Sequence, residues 1–421
     1  MAMSQASQPF RVLQINAVYG SSSTGRNCLE LDEAAAAHGV AMYTAFAVPG
    51  PFQPARAYLI GNRLDRKVHA FLSRLLGLQA YASFFATRRL IRYIAATEPD
   101  VIHLNNLHSN YLHLGLLLRY IARRQIATVL TLHDCWFYTG RCVHYTVDNC
   151  QRWKQACGQC PRLHKDNPSW GLDRSAKMLQ DKGRWFGSIK RLAVVGVSEW
   201  ITQEARQSIL SNATLFRRIY NWVDLEVFKP DADSRQKLAG TLKGTEGAFL
   251  IIGVATLWSE DKGLGQFLAL SRRLGPDERI VLVGKLPTGL RMPENILHVK
   301  ETHDVAELST CYAAADVFVS FSREETFGKV TAEALASGTP VIVNAMTANP
   351  ELVGPCCGHV VDTDQLDHVF AAIQQVKAQG KTAYSQHCRA YSVKQFNKTE
   401  NVRQYFDLYR DLIQADSRPQ H

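Results

Sequence analysis

Two successive series of short apolar runs, separated by helical lengths of chain, restrict this sequence more than any other feature. The first series comprises residues 11–16 (RVLQIN), 101–105 (VIHLN), 128–133 (TVLTLH) and 192–198 (LAVVGVS), and closes at 216–221. The second comprises 249–255 (FLIIGVA), 279–284 (RIVLVG), 296–300 (ILHVK), 316–321 (DVFVSF) and 340–344 (PVIVN). Short, largely apolar runs that alternate with helices need cover on both faces, and parallel strands between helices provide it. Two series imply an α/β chain with two Rossmann-like, doubly wound domains, and 421 residues suffice for two cores. Ligands of such domains lie beyond the carboxyl ends of the strands, so the expected site is a cleft where the domains face. The boundary is expected near 223–231, giving domains at 1–225 and 226–392.

Charge is divided unevenly between the two halves. Residues 1–225 hold 27 Lys and Arg against 14 Asp and Glu, whereas the remainder holds 21 against 24. A basic first half favours an anionic partner, and the alternative is a solvated face with none. No aromatic-basic platform or nucleic-acid motif accompanies the charge, which argues against nucleic acid. Within 62–92 the residues Leu64, Val68, Phe71, Leu72 and Leu75 follow a helical period, with Arg63, Arg66, Lys67 and Arg74 largely opposite. Such a helix either lies on an anionic membrane or packs on its own domain. No apolar run reaches the roughly 18–20 residues of a membrane span, and no signal peptide is evident at the N-terminus. The expected location is the cytoplasm, with peripheral contact at the inner face of the cytoplasmic membrane.

The most informative stretch is 320–343, SFSREETFGKVTAEALASGTPVIV. A strand feeds a polar loop, then Gly328, then a helix. An anion is favoured at such a helix start by unpaired N–H groups and by the helix dipole. Glu325 and Glu333, eight residues apart, are good acceptors for vicinal hydroxyls, as on a sugar and a ribose. Their alternative readings are a helix cap and a solvated helix face. In the first half, Gly20 and Gly25 bracket a hydroxyl-rich turn after the first strand, with Arg26 beside it; a flexible surface turn is the alternative. Asn105, His108 and His133 follow strands, where either a site or a structural role is open to them.

The pattern E-x7-E followed by A-x-G-x-P-V-I resembles the retaining family 4 glycosyltransferases of GT-B fold. Further likeness lies in NWVDLEVFKP at 221–230, GVATLWSEDKG at 253–263 and TLHD at 131–134. The block HDCWFYTGRCVHY and the cysteines after it resemble the glycosyltransferases of colanic acid and other bacterial surface polysaccharides. The resemblance implies that Lys262 neutralises the diphosphate of a nucleotide sugar, a role suited to a compact ammonium. It also implies that Glu325 holds the donor sugar and Glu333 the ribose, that Phe327 and Gly328 meet the distal phosphate with Thr326 beside them in the donor site, and that Lys285 meets the nucleobase. By the same likeness the turn with Gly20 and Gly25 lies under the donor phosphate. His133 orients the donor sugar, and Asn105 and His108 lie toward the acceptor. The stretch 393–421 is expected to be a helix crossing back to the first domain. The family usually carries an arginine about five residues before the lysine; this chain does not, and Arg323 is the candidate replacement.

The implied activity is transfer of a hexose, with retention, to a glycan on a membrane diphospholipid, in exopolysaccharide, capsule or lipopolysaccharide biosynthesis. No catalytic cofactor or metal is expected, since lysine and a helix start would hold the leaving group; Asp231 and Asp233 sit in the linker. The rivals are a nucleotide-sugar epimerase or phosphorylase of the same architecture, and a catalytically idle sugar-nucleotide-binding protein. Within the cysteine-rich insertion at 135–165, Cys142, Cys150, Cys157 and Cys160 are spaced C-x7-C-x6-C-x2-C. Structural zinc, reduced thiols and a disulfide are the three readings of these four.

Overall fold

The computed structural model describes residues 9–300 and 304–414. The chain forms two compact units, one running to Ile219 and resuming at Val402, the other spanning Tyr220–Asn401. The first unit's strands are β1 (Phe10–Val18), β2 (Val40–Val48), β3 (Ala57–Leu59), β4 (Val101–Leu104), β5 (Ala127–Leu132), β6 (Leu192–Gly196) and β7 (Leu215–Arg218). They form one sheet in the order β3-β2-β1-β4-β5-β6-β7, parallel at every pairing. The second unit has β8 (Phe249–Leu257), β9 (Glu278–Lys285), β10 (Ile296–Val299), β11 (Val317–Ser320), β12 (Val341–Asn344) and β13 (Gly358–Val361). Their order is β10-β9-β8-β11-β12-β13, again all parallel. Strands β4, β5, β6 and β12 are buried at every residue. Helices between the strands supply that cover. In each sheet the order reverses beside the first strand of the unit, between β1 and β4 and between β8 and β11. Chains leave the sheet there in opposite directions, and a crevice opens at the strands' carboxyl ends.

The units divide between Ile219 and Tyr220 rather than at 225, because the segment after β7 packs with the second unit: Val223 donates its N–H to Phe396 O at 3.0 Å. The C-terminal stretch is not one helix but two, Thr382–Gln395 and Lys398–Gln414. From Val402 to Gln414 the chain belongs to the first unit, and residues 415–421 of the expected stretch lie outside the described residues. There Tyr409 OH lies 2.8 Å from His103 Nδ1, and Arg410 donates to His38 O. The expected single helical region at 62–92 is likewise two helices, Arg63–Leu76 and Phe84–Thr97, broken at Gly77, where φ is +66°.

Helix Arg63–Leu76 faces the opposite way from an ordinary surface helix. His69 and Ser73 are buried, while Leu64, Val68, Phe71, Leu75 and Leu76 are exposed. The inward polar groups are only partly satisfied: His69 Nδ1 is 2.8 Å from Ser83 Oγ and Arg66 donates to Ala47 O, while His69 Nε2 and Ser73 Oγ are buried without a hydrogen-bond partner.

Two buried histidines set an acid limit on this fold. Burial, then the neighbouring charge of His133, pushes His103 down to about 3; burial, then His113, pushes His69 down to about 4. Both stay neutral in the folded chain, while unfolded histidine protonates near 6.5. The unfolded chain therefore gains protons that the folded chain refuses. Stability falls as pH drops from about 6.5 toward 4, by up to about 1.4 kcal/mol per pH unit for each ring. Thermal melts between pH 7 and 5 should show Tm falling with acid, and more shallowly in His103→Asn. A level Tm across that window contradicts the assignment.

Candidate functional site

In the second unit β8 runs into a short turn, Glu260–Lys262, closed by Gly263 at φ +84°. A Cβ on Gly263 would stand 2.3 Å from Phe321 Cβ, so only glycine lets this turn press against the end of β11. That approach brings Lys262 Nζ to 2.7 Å from Glu325 Oε1 and 3.4 Å from Ser322 Oγ. The loop carrying Glu325 is pinned from the next βα connection. Glu325 N–H donates to Thr347 Oγ1 at 3.2 Å, Ala348 N–H to Glu325 O at 3.2 Å, and Asn349 Nδ2 to Ser322 O at 2.9 Å. Phe327 anchors the loop's end, buried against the rings of Tyr220 and Phe396. Gly328, at φ +91°, then opens helix Lys329–Ala336, whose start no side chain caps. An ammonium, a carboxylate and the positive end of a helix thus stand together beyond β8 and β11, an arrangement suited to an anion bearing hydroxyl groups.

The other expected residues of this half are placed as follows. Glu333 lies inside helix Lys329–Ala336, 7% exposed, with Tyr312 OH donating to it at 3.3 Å. It is a buried carboxylate, not a solvated helix face. Arg323 extends to Asp364 at 3.2 Å. Lys285 ends β9 with its side chain exposed. Five positions before Lys262 stands Leu257, exposed. Thr326 adjoins Phe327 in the pinned loop.

In the first unit, the ends of β4 and β5 bring four polar side chains together. His133 Nε2 lies 3.0 Å from Asn105 Oδ1, and His108 Nε2 lies 2.8 Å from Asp134 Oδ2. Asp134 Oδ1 accepts from the N–H of Trp136 at 2.9 Å. Burial pushes His133 down to about 4, against the pull of Asp134, so its ring is neutral at physiological pH. Burial raises the Asp134 carboxyl, but the charge and hydrogen bond of His108, with the Trp136 N–H and the charge of His144, together outweigh it, and the group ends below the usual carboxylate range. The amide nitrogen of Asn105 is buried with no hydrogen-bond partner. Asn16, at the end of β1, escaped the sequence reading. Its Oδ1 accepts from Asn106 N–H at 3.0 Å and so fixes the loop that carries His108. A polar residue closing an apolar run was the only signal for it.

The glycines of the first turn have packing reasons. Gly20, at φ +67°, donates its N–H to Gly25 O at 2.8 Å, and a Cβ on it would meet Phe52 at 2.6 Å. A Cβ on Gly25 would meet Val18 Cγ2 at 2.9 Å. This is a tight strand-to-helix turn rather than a flexible one, with Ser22, Ser23 and Arg26 exposed on it. Cys142 and Cys160 sulfurs are 3.8 Å apart, too far for a disulfide, and all ten cysteines are free.

Comparison with known proteins bears on the family and the fold. The family model for group 1 glycosyl transferases matches residues 248–379, and that for Glycosyltransferase Family 4 matches 25–227. The putative colanic acid biosynthesis glycosyl transferase WcaC of Escherichia coli K12 is 26% identical over 362 residues, covering 83% of this chain and 85% of that protein. Among solved structures, sucrose-phosphate synthase of Thermosynechococcus elongatus superposes with a TM-score of 0.70 at 18% identity, covering 96% of this chain and all of its own. Anabaena HepE in complex with UDP gives 0.66 at 15%, with 96% and 100% covered. The chain belongs to the family 4 glycosyltransferases, built on the GT-B fold.

Proposed function

We propose that this enzyme transfers a hexose, with retention of configuration and without a metal, from a nucleoside diphosphate sugar to a lipid-linked glycan in bacterial surface polysaccharide synthesis. The observation that carries the reading is Lys262 held 2.7 Å from Glu325 beside the uncapped start of helix Lys329–Ala336. As the bond from sugar C1 to the diphosphate breaks, negative charge grows on the leaving phosphate. Lys262 and the backbone N–H groups at Phe327 and Gly328 stabilise it. Glu325 accepts hydrogen bonds from the sugar hydroxyls, and Glu333 from the ribose. The acceptor oxygen bonds to C1 on the face the phosphate leaves, and the acceptor's proton passes to the departing phosphate oxygen. Neutral His133, steadied by Asn105, orients the sugar; His108 and Asp134 lie toward the acceptor. HepE's complex with UDP supports a nucleotide sugar, and WcaC's name supports a surface polysaccharide.

The enzyme is proposed to work on the inner face of the cytoplasmic membrane. Among the described residues no helix is long and apolar enough to cross a bilayer. The outward apolar face of Arg63–Leu76 continues in Phe84, Phe85, Trp170 and Leu172, all exposed. Beside it Arg88, Arg89, Arg92, Arg119 and Arg123 line a groove of about 580 Å³. Exposed apolar side chains bordered by guanidinium groups match the acyl and phosphate layers of an anionic lipid surface.

Thermal melts against a panel of nucleotide sugars test the donor half of this proposal. The true donor at 100 times its Kd should add about 2.7 kcal/mol of stability. Product formation should then require a lipid-linked acceptor. Conversion of the donor alone would favour an epimerase, and donor binding without transfer would favour an idle binding protein.

A further inference from the structure

The loop after β5 packs four thiols against two buried cations, Arg141 and Lys182, for which no ion pair with a carboxylate is formed among the described residues. Cys142, Cys150, Cys157 and Cys160 all line one cavity of about 10 Å³, together with Arg141 and Trp153. That is room for about one water-sized sphere. The sulfurs of Cys142 and Cys160 stand 3.8 Å apart. Sulfurs bound at about 2.3 Å to one tetrahedral ion stand about 3.8 Å from each other, so this pair already spans one edge of such a site.

Charge supplies an independent observation. Arg141 is 2% exposed; its Nη2 donates to Asn167 O, and its Nη1 has no partner. Lys182, also 2% exposed, donates only to carbonyl oxygens, those of Trp136 at 2.6 Å, Thr139 at 3.0 Å and Gly140 at 3.4 Å. Among the described residues neither cation is paired with a carboxylate, and a buried charge balanced only by neutral carbonyls is costly. A divalent ion held by four thiolates carries a net charge of −2, which offsets both. We infer that Cys142, Cys150, Cys157 and Cys160 bind a structural zinc ion that fastens this loop beneath Asp134 and Trp136. Four thiol protons leave as the ion binds, and no sulfur changes oxidation state. Among the described residues no three ligating side chains converge on one point. Binding therefore requires Cys150 and Cys157 to turn inward from the cavity wall. They flank the short turn Arg152–Lys154, in a loop without longer regular structure.

Elemental analysis of the full chain, purified under reducing conditions without added metal, tests the assignment. About one zinc per chain is expected, falling below about 0.2 in the Cys157→Ser, Cys160→Ser double variant. Because that variant can fail to fold, cobalt(II) exchange into the unaltered chain gives a second readout: the visible absorption of tetrahedral cobalt thiolate is expected. Zinc below about 0.2 per chain with no such absorption overturns the site, as does full zinc retention in a folded double variant. One equivalent of iron in place of zinc overturns the identity of the ion.

Discussion

Lys262→Ala is expected to lower kcat/KM for transfer by on the order of 10²–10³, the usual loss when one fixed donor to a developing anion is removed. Folding should scarcely change. The Lys262 side chain is 42% exposed, and an ion pair so wetted contributes no more than about 1 kcal/mol. Glu325→Ala should be as damaging for a different reason, since it removes the acceptor for donor hydroxyls. A double-mutant cycle separates function from mere pairing. If each residue served only to hold the other, the double variant would be no worse than either single one. Separate contacts to phosphate and sugar should make it distinctly worse. Lys377→Ala, which breaks an ion pair with Asp277 and Glu278 on the same unit, is the control for lost surface charge. Near-normal turnover by Lys262→Ala, at a melting temperature equal to that of the unaltered chain, sinks the proposed role.

The parts of this site differed in how far the sequence disclosed them. Strands such as β5 and β12 were legible because they are mostly apolar and buried at every residue. β2 was not, since VAMYTAFAV follows an alanine-rich stretch and alanine favours helix. β3 and β13 are short edge strands with exposed residues, and neither leaves an apolar run. The meeting of Lys262 with Glu325, 63 residues apart, came only from family resemblance; periodicity says nothing of which loops converge. Glu333 was expected to be either a ribose ligand or solvated, and its burial beneath Tyr312 follows from tertiary packing of helix Lys329–Ala336. The stripe of Leu64, Val68, Phe71 and Leu75 was visible as a period, but a period cannot say whether the stripe faces in or out. His69 and Ser73 decide that by burying the other side.

That outward stripe makes the second large prediction. Leu64→Glu with Phe85→Glu should release the chain from anionic vesicles, lowering the partition constant by at least about 10²-fold. The two side chains are 69% and 74% exposed, so little folding energy depends on them. Each would lose about 1.5–3 kcal/mol of burial in the acyl boundary. Arg88→Ala with Arg92→Ala should act differently, costing about 1 kcal/mol per charge, and only at low salt. Cosedimentation with vesicles of anionic or purely zwitterionic lipid, at two salt concentrations, distinguishes the terms. Equal binding to both lipids, or unchanged binding by the Leu64→Glu, Phe85→Glu chain, refutes the surface. Donor binding, proposed for the other unit, should survive these changes, whereas transfer to an acceptor embedded in vesicles should fall with the partition constant. A loss of both activities together would mean that the stripe supports the fold rather than the encounter with lipid.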